Sequence, residues 1–168
     1  TAESRLEQHD AREASRAAKK RYEERVQRGE AADWKMTPKQ FWQFVEQGNV
    51  EKVRGGIKSK MPLSTRSTDG KRHGIVHVAC KRVLEDALAG EEKAASRLAI
   101  VEALLQARAN ANAVDASDLT PLELAMSNAG DQGSQVSVVS LLDSLRALGL
   151  RTAAETAAEL RAQSGAGG

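Results

Sequence analysis

The sequence has few aromatic residues, and this scarcity bears on the fold class. Phe, Trp and Tyr make up 3% of the 168 residues, although hydrophobic residues as a whole make up 40%. Strands draw mainly on β-branched and aromatic side chains, whereas Ala and Leu, which carry most of the apolar surface here, favour helices. The composition therefore predicts an all-α fold, and the length predicts one domain with a single core.

Cysteine pairs, long apolar runs and a large net charge are also missing. The single cysteine, Cys80, excludes an internal disulfide and favours a reducing intracellular compartment, either cytoplasmic or organellar. No apolar run approaches the roughly 18 residues that a membrane span needs, so we expect no span, which leaves peripheral contact with a membrane open. The formal net charge of +2 implies no general attraction to nucleic acid.

The N-terminal segment, residues 1–36, is predicted to be a long charged helix followed by a linker. Residues 2–28 contain no Pro or Gly and are rich in Ala, Glu, Arg and Lys, which favours helix. Their apolar stripe is narrow, with Ala14, Ala18, Tyr22 and Val26 recurring every four residues. A helix this polar is either solvated or docked on a partner along one narrow face, and the sequence leaves both open.

Two Thr-Pro pairs mark predicted helix starts. Thr37 is placed as an N-cap before Pro38, with Gln40 three residues on, and Met36 is placed to pack against Phe41. Thr120 and Pro121 repeat the signal. Apolar spacing then predicts helix pairs at about 37–58, 75–106 and 120–148, a last helix at 152–162 and a flexible tail at 163–168.

The predicted helix pairs belong to an internal repeat. Residues 115–125 read D-A-S-D-L-T-P-L-E-L-A, which resembles the opening of the ankyrin repeat, where T-P-L-H-x-A is the signature. Residues 74–79 read G-I-V-H-V-A and place a histidine at the motif position. The motif residues are Thr37, Pro38, His77, Thr120, Pro121, Leu122 and Ala125. The resemblance implies an ankyrin-type helix-turn-helix solenoid of about three to four repeats over residues 37–162.

The chain departs from the ankyrin pattern at several positions. Asp118 and Arg108 stand where the family has Gly, and Glu123 stands at the motif histidine. The stretches 79–100 and 125–138 are longer than a repeat of about 33 residues allows. We therefore expect extended helices or turns there.

A basic cluster between residues 52 and 82 is the clearest candidate for recognition. Its cations are opposed only by Asp69, and those taken as partner-binding are Lys58, Lys60, Arg66, Lys71, Arg72, Lys81 and Arg82. An acidic protein surface, anionic headgroups and RNA phosphate all fit such charge. The absence of interleaved aromatic residues argues against nucleic acid, so an acidic protein is preferred. The alternative is a solvated loop that binds nothing.

Aromatic side chains near the first repeat are candidate anchors. Trp34, Trp42 and Tyr22 are taken as partner-binding residues, because tryptophan often anchors interfaces. The alternative is that the two tryptophans pack the N-terminal helix onto the repeats.

No pattern in the chain indicates catalysis or a cofactor. His73, His77 and Cys80 have a spacing that suits zinc on a helix, yet His77 falls at the motif histidine and Cys80 at a normally buried position, so structural roles are preferred. The prediction is a non-catalytic protein-protein interaction module. It is either a structural or adaptor subunit of a larger assembly, or a free regulatory adaptor that binds an acidic peptide or domain.

Overall fold

The computed structural model describes residues 1–87, 91–130 and 136–165, and within these ranges the chain is all helical. The helices are α1 Ala2–Gln27, α2 Pro38–Gln47, α3 Val50–Lys58, α4 Ile75–Ala87, α5 Glu91–Gln106, α6 Pro121–Ala129, α7 Val136–Ala147 and α8 Ala153–Gly165. The all-α prediction is confirmed. None of these helices is long and apolar enough to cross a membrane.

The two Thr-Pro signals begin helices as predicted. At α2, Thr37 Oγ1 accepts the Gln40 N–H at 3.2 Å, and Gln40 Oε1 accepts the Thr37 N–H at 3.0 Å. At α6, Thr120 and Glu123 exchange the same two bonds. Each pair satisfies amide groups that the first helical turn leaves without partners. The sequence alone therefore determines where α2 and α6 begin.

Helix α4 lies at the centre of the packing. It contacts α2, α5, α6 and α7, while α2 packs on α3 and α3 on α5. Residues 73–80 are all buried, and the core joins side chains from α2 to the segment after α7, including Phe41, Val83, Leu104 and Leu145. The helix pairs thus share one continuous core.

Helix α4 starts without a Thr-Pro signal. His77, in its first turn, bonds the residue before the helix and ties α4 to the next helix pair. The Gly74 N–H donates to His77 Nδ1 at 3.1 Å, and His77 Nε2 lies 2.8 Å from the Leu119 carbonyl oxygen. Because Nδ1 accepts, the ring is the neutral tautomer whose Nε2–H donates to Leu119. Burial lowers the pKa of His77 below its ordinary value. The ring is therefore held neutral at the junction of two pairs.

Glu123 occupies the same helical position in α6 and makes the same kind of link. Its Oε1 accepts the Ala153 N–H at the start of α8, at 3.0 Å, besides the Thr120 N–H. The Thr120 hydroxyl also donates to the Arg151 carbonyl at 2.8 Å. A histidine in one unit and a glutamate in the next thus join successive units through backbone groups.

The ends of α3, α5 and α7 repeat one backbone conformation. Lys60, Arg108 and Gly149 have φ of 58°, 68° and 106°. The residue after each donates its N–H to the carbonyl five positions back, at 3.2, 3.0 and 3.2 Å for Met61, Ala109 and Leu150. This arrangement favours glycine, which only the last of the three ends has. Asp118, the other departure from the ankyrin pattern, has φ of 60°.

Arg97 is a buried cation that the sequence analysis missed. Its side chain, 5% exposed, donates from Nε to Asp86 Oδ2 and from Nη1 to the Val45 carbonyl, both at 2.6 Å. These bonds join α5 to α4 and to the end of α2. Hydrogen bonds to the Asp86 carboxylate and the Val45 carbonyl compensate the cost of burying this charge.

Helix α1 is docked on the body through its C-terminal part. Residues 1–25 are exposed, and Val26 is buried against the body. The Tyr22 hydroxyl donates to the Ala32 carbonyl, and Lys58 Nζ donates to the Gly29 carbonyl at 2.6 Å. The sequence left open whether this helix is solvated or docked. In the single chain its greater part is solvated, and its C-terminal part is docked.

One segment boundary differs from expectation. Helix α8 runs to Gly165, so residues 163–165 of the expected flexible tail are helical, whereas 166–168 lie outside the described residues. The extra residues of the stretch 79–100 lengthen α4 and α5 to 13 and 16 residues, as expected. Part of the second long stretch, residues 131–135, lies outside the described ranges.

Replacing Arg97 with alanine should destabilise the fold. The change leaves the Asp86 carboxylate and the Val45 carbonyl without their donor, so the free energy of unfolding should fall by about 3 kcal/mol in urea titration. Arg82→Ala is the matched control, because the Arg82–Glu85 pair is exposed and 3.9 Å long; its effect should be about 0.5 kcal/mol or less. Equal effects of the two variants would contradict the role of Arg97.

Glycine at position 108 should stabilise the chain. A left-handed backbone strains an L-residue and not glycine, so Arg108→Gly should raise the free energy of unfolding by about 0.5–1 kcal/mol. Gly149→Ala, where an added Cβ meets nothing within 4 Å, should lower it by a similar amount through backbone strain alone. Urea titration measures the free energy of unfolding of both variants. A loss of stability in Arg108→Gly would contradict the left-handed backbone conformation at residue 108.

Stability should fall when the medium is acidified through the His77 transition. Because the pKa of His77 is lower in the folded state, the unfolded chain binds more protons below its ordinary value of 6.5. Full stability is therefore expected above about pH 6.5, with a decline as the pH drops toward the folded pKa. His73, Asp115 and Arg66 also act on this ring. The His77→Gln variant should show a shallower decline in thermal midpoint, and parallel profiles would contradict the prediction.

Candidate partner-binding groove

A groove between α2, α4 and the loop 59–74 is the main candidate site. Its volume is about 440 Å³. The lining side chains are Pro38, Lys39, Trp42, Glu46, Thr65, Arg66, Ser67, Thr68, Asp69, His73, Val78, Lys81 and Arg82. We call it the basic groove, because four of these residues are lysine or arginine and two are acidic.

Helical spacing places the walls of the basic groove. On α2, Phe41 and Val45 are buried, and Trp42 beside them is half-buried and turned into the groove. Residues three and four apart share a helix face, so Lys39 and Glu46 flank Trp42. On α4, Val78, Lys81 and Arg82 follow the same rule beside the buried core. The floor is thus apolar and the rim is charged.

The loop wall is closed on itself by short-range bonds. The Ser67 hydroxyl donates to Asp69 Oδ1 at 2.8 Å and accepts the His73 N–H at 2.9 Å, while the Ser67 N–H donates to the His73 carbonyl at 2.9 Å. Asp69 Oδ1 also accepts the Lys71 N–H. The Ser67 hydroxyl and then this amide lower the pKa of Asp69. The segment 67–73 therefore keeps a defined shape.

Longer-range contacts fix the loop against the next loop, residues 110–119. Arg66 Nη1 donates to the Val114 carbonyl at 2.8 Å, and the Ala116 N–H donates to the Lys71 carbonyl at 2.9 Å. His73 Nε2 lies 3.3 Å from Asp115 Oδ2, and the His73 ring stacks on His77 with centroids 5.7 Å apart. Contacts within the chain therefore fix the position of the loop wall.

The expected basic cluster does not form one patch. Arg66, Lys81 and Arg82 share the basic groove with Trp42. Lys58 instead lines a cavity of about 340 Å³ beside α5 that shares no residue with the groove. Lys60, Lys71 and Arg72 are exposed on the loop outside the groove lining. Arg66 is set apart from the exposed cations of the loop by its hydrogen bond to the Val114 carbonyl, 48 residues on.

The two tryptophans lie in separate cavities. Trp42 lines the basic groove, whereas Trp34 is 71% exposed and lines a second cavity of about 490 Å³ beside Tyr22. Neither packs α1 down as a buried core residue, because Val26, Ala31 and Met36 fill that junction. Lys39 and Glu46 were missed, although their spacing from Trp42 was readable in the sequence.

The residues that suggested metal binding are engaged in the fold. His77 uses both ring nitrogens in hydrogen bonds, and Cys80 is wholly buried, which raises the pKa of its thiol to about 12. Within the described ranges, the clustered metal-ligand types are His9, Asp10 and Glu13, all exposed on α1. Exposed side chains of this kind are common without an ion.

Ser67, Asp69 and His73 meet in the groove without forming a nucleophilic relay. Activation of a serine requires an imidazole within hydrogen-bond reach of its hydroxyl. Here the hydroxyl is bonded to Asp69, and the His73 ring directs Nε2 toward Asp115.

Comparison with known proteins gave no match to this chain among protein-family models, curated proteins or solved structures.

Proposed function

We propose that this chain is a non-catalytic protein-protein interaction module, built as an ankyrin-type stack, that holds an acidic segment of a partner protein in the basic groove. In this proposal it serves as a structural or adaptor subunit of a larger assembly. The observation that carries the proposal is the preformed groove, which combines a half-buried tryptophan with a basic rim.

The stacked architecture is supported by repetition within the fold. Helices α2, α4 and α6 are the first helices of their pairs. At the start of each, the N–H of the residue before the helix donates to the side chain three residues on, which is that of Gln40, His77 or Glu123. Three second helices end in the same left-handed conformation. Leu122 and Ala125 of the motif are buried against neighbouring helices. Repeated local geometry with contacts between adjacent pairs is typical of repeat proteins.

The chemistry of the groove favours an acidic partner with an apolar anchor. Trp42 offers a large apolar surface, and tryptophan is enriched among residues that dominate binding energy. The groove lining has four cations against Glu46 and Asp69, so carboxylates would be attracted and cationic segments repelled. Because the loop wall is already bonded to its neighbour, little ordering entropy is lost on binding.

Helix α1 favours the subunit over the free adaptor. Its leading residues, 2–25, are all exposed, and an isolated polar helix gains little stability in water. A permanent neighbour would supply that stability. The free regulatory adaptor remains the alternative, and it uses the same groove; it predicts a monomeric chain whose α1 stays helical without any partner.

Acidic peptides should bind beside Trp42. In a Trp34→Phe variant, Trp42 is the remaining tryptophan, and peptides of about 12 residues rich in Asp and Glu around one Leu should shift its fluorescence saturably. Affinity should fall when the ionic strength rises from about 0.05 to about 0.5 M, because the rim charges are screened. Lysine-substituted versions of the same peptides should not bind.

Charge reversal locates the site. The Lys81→Glu/Arg82→Glu variant should weaken binding of the acidic peptides about tenfold or more. Arg161→Glu on α8, which is exposed and outside the groove, is the matched control and should bind normally. Unchanged affinity in the double variant, or equal loss in the control, would overturn the proposed site.

A further inference from the structure

We propose that the cavity between α1 and the body, beside Trp34, is a second docking site, which takes an acidic amphipathic helix of a partner protein. This site is separate from the basic groove, and the proposal does not depend on binding there. Its volume is about 490 Å³, and its apolar walls are Tyr22 and Val26 of α1, Trp34 and Met36 of the linker, and Phe44 of α2.

Trp34 is the most exposed large apolar side chain of the described residues, with 71% of its surface open to solvent. Single exposed apolar residues are ordinary, but this one stands at the mouth of an apolar cavity. Aromatic anchors beside concave apolar surface are characteristic of binding sites. Trp34 is therefore placed to cover an inserted side chain.

The walls of the cavity are held in place from both sides. The Tyr22 hydroxyl donates to the Ala32 carbonyl, which ties α1 to the linker. The Asp33 N–H donates to the Gly55 carbonyl at 3.3 Å, and the Asp33 carboxylate pairs with Lys52 at 3.3 Å. Lys52 also lies 5.8 Å from the centre of the Phe44 ring. A site whose walls are fixed beforehand loses little entropy on binding.

Charge at the rim selects an acidic occupant. Both acidic residues of the lining have a cation close by, since Asp33 pairs with Lys52 and Glu23 lies 4.0 Å from Lys19. Lys35 stands exposed at the mouth. The lining as a whole has three lysines, Lys19, Lys35 and Lys52, and two acidic residues. This excess of positive charge attracts carboxylates.

The form of the surface favours a helix over a membrane. A membrane-surface anchor presents convex apolar residues, whereas Trp34 and Tyr22 line a concavity. From Tyr22 toward the N-terminus, the same face of α1 presents the exposed small residues Ala18, Ser15 and Ala11 at helical spacing. Small side chains let a second helix approach closely along α1. A helix lying there could insert one apolar side chain beside Trp34.

Trp34 itself provides the readout. In a Trp42→Phe variant Trp34 is the remaining tryptophan, so its emission reports this site alone. The probe is a synthetic helical peptide of about 18 residues with Leu at i, i+4 and i+7 and Glu on the other faces. Titration should shift the emission to the blue and protect Trp34 from acrylamide, with saturation. A peptide in which Lys replaces Glu serves as control and should not bind.

Two variants separate binding from folding. Lys19→Glu/Lys35→Glu should weaken the acidic peptide about tenfold while the thermal midpoint stays unchanged, because both side chains are exposed. In the Lys81→Glu/Arg82→Glu background, where the basic groove no longer holds acidic peptides, Trp34→Ala should abolish binding measured by anisotropy of a labelled peptide, and its far-UV circular dichroism should match the parent. Lys81→Glu/Arg82→Glu, in the basic groove, should bind this helical peptide normally.

Four results would overturn the proposal. These are an unchanged Trp34 emission with the acidic helix, equal binding of the lysine peptide, a blue shift with vesicles containing phosphatidylserine but not with the peptide, and a blue shift that follows protein concentration without peptide. The third result would assign a lipid surface and the fourth a second copy of the chain. Because Trp42 reports the basic groove separately, failure at one site is distinguishable from failure at the other.

Discussion

Burial of α4 is the constraint on which the rest of the structure depends. Helices α2, α5, α6 and α7 all contact it, and residues 73–80 lose nearly all of their solvent exposure. Isolated helices of 9 to 16 residues are marginal in water, so packing on α4 contributes to the stability of these neighbours. The position of α4 also places Val78, Lys81 and Arg82 on one wall of the basic groove. Core and candidate site are therefore built from opposite faces of one helix.

Local signals in the sequence were sufficient for the helix starts and the helix pairs. The caps at Thr37 and Thr120 depend on residues within four positions, and those interactions form wherever the segment is placed. The motif position of His77 also indicated a structural role for this side chain. The hydrogen-bond partner of its Nε2, Leu119, lies 42 residues away, and only the folded chain shows it.

Features that depend on contacts between residues far apart in the sequence could not be predicted. Arg97 looks like an ordinary charged helix residue, yet its partners, Asp86 and Val45, belong to two other helices. The basic cluster appeared continuous because its members are close in sequence. Arg66 donates to the Val114 carbonyl, 48 residues on, and Lys58 donates to the Gly29 carbonyl beyond the end of α1. Charge density along a chain therefore does not predict charge density on a surface.

Cys80 has a practical consequence for work in solution. It is the chain's one thiol, it is wholly inaccessible, and the raised pKa keeps it protonated. Thiol reagents act on the exposed thiolate, so the folded protein should be inert to them. A cysteine introduced at any exposed position would then carry a spin label or dye alone, without removal of the native residue. The rate at which Cys80 itself is modified would then report how often the core around α4 opens by local unfolding.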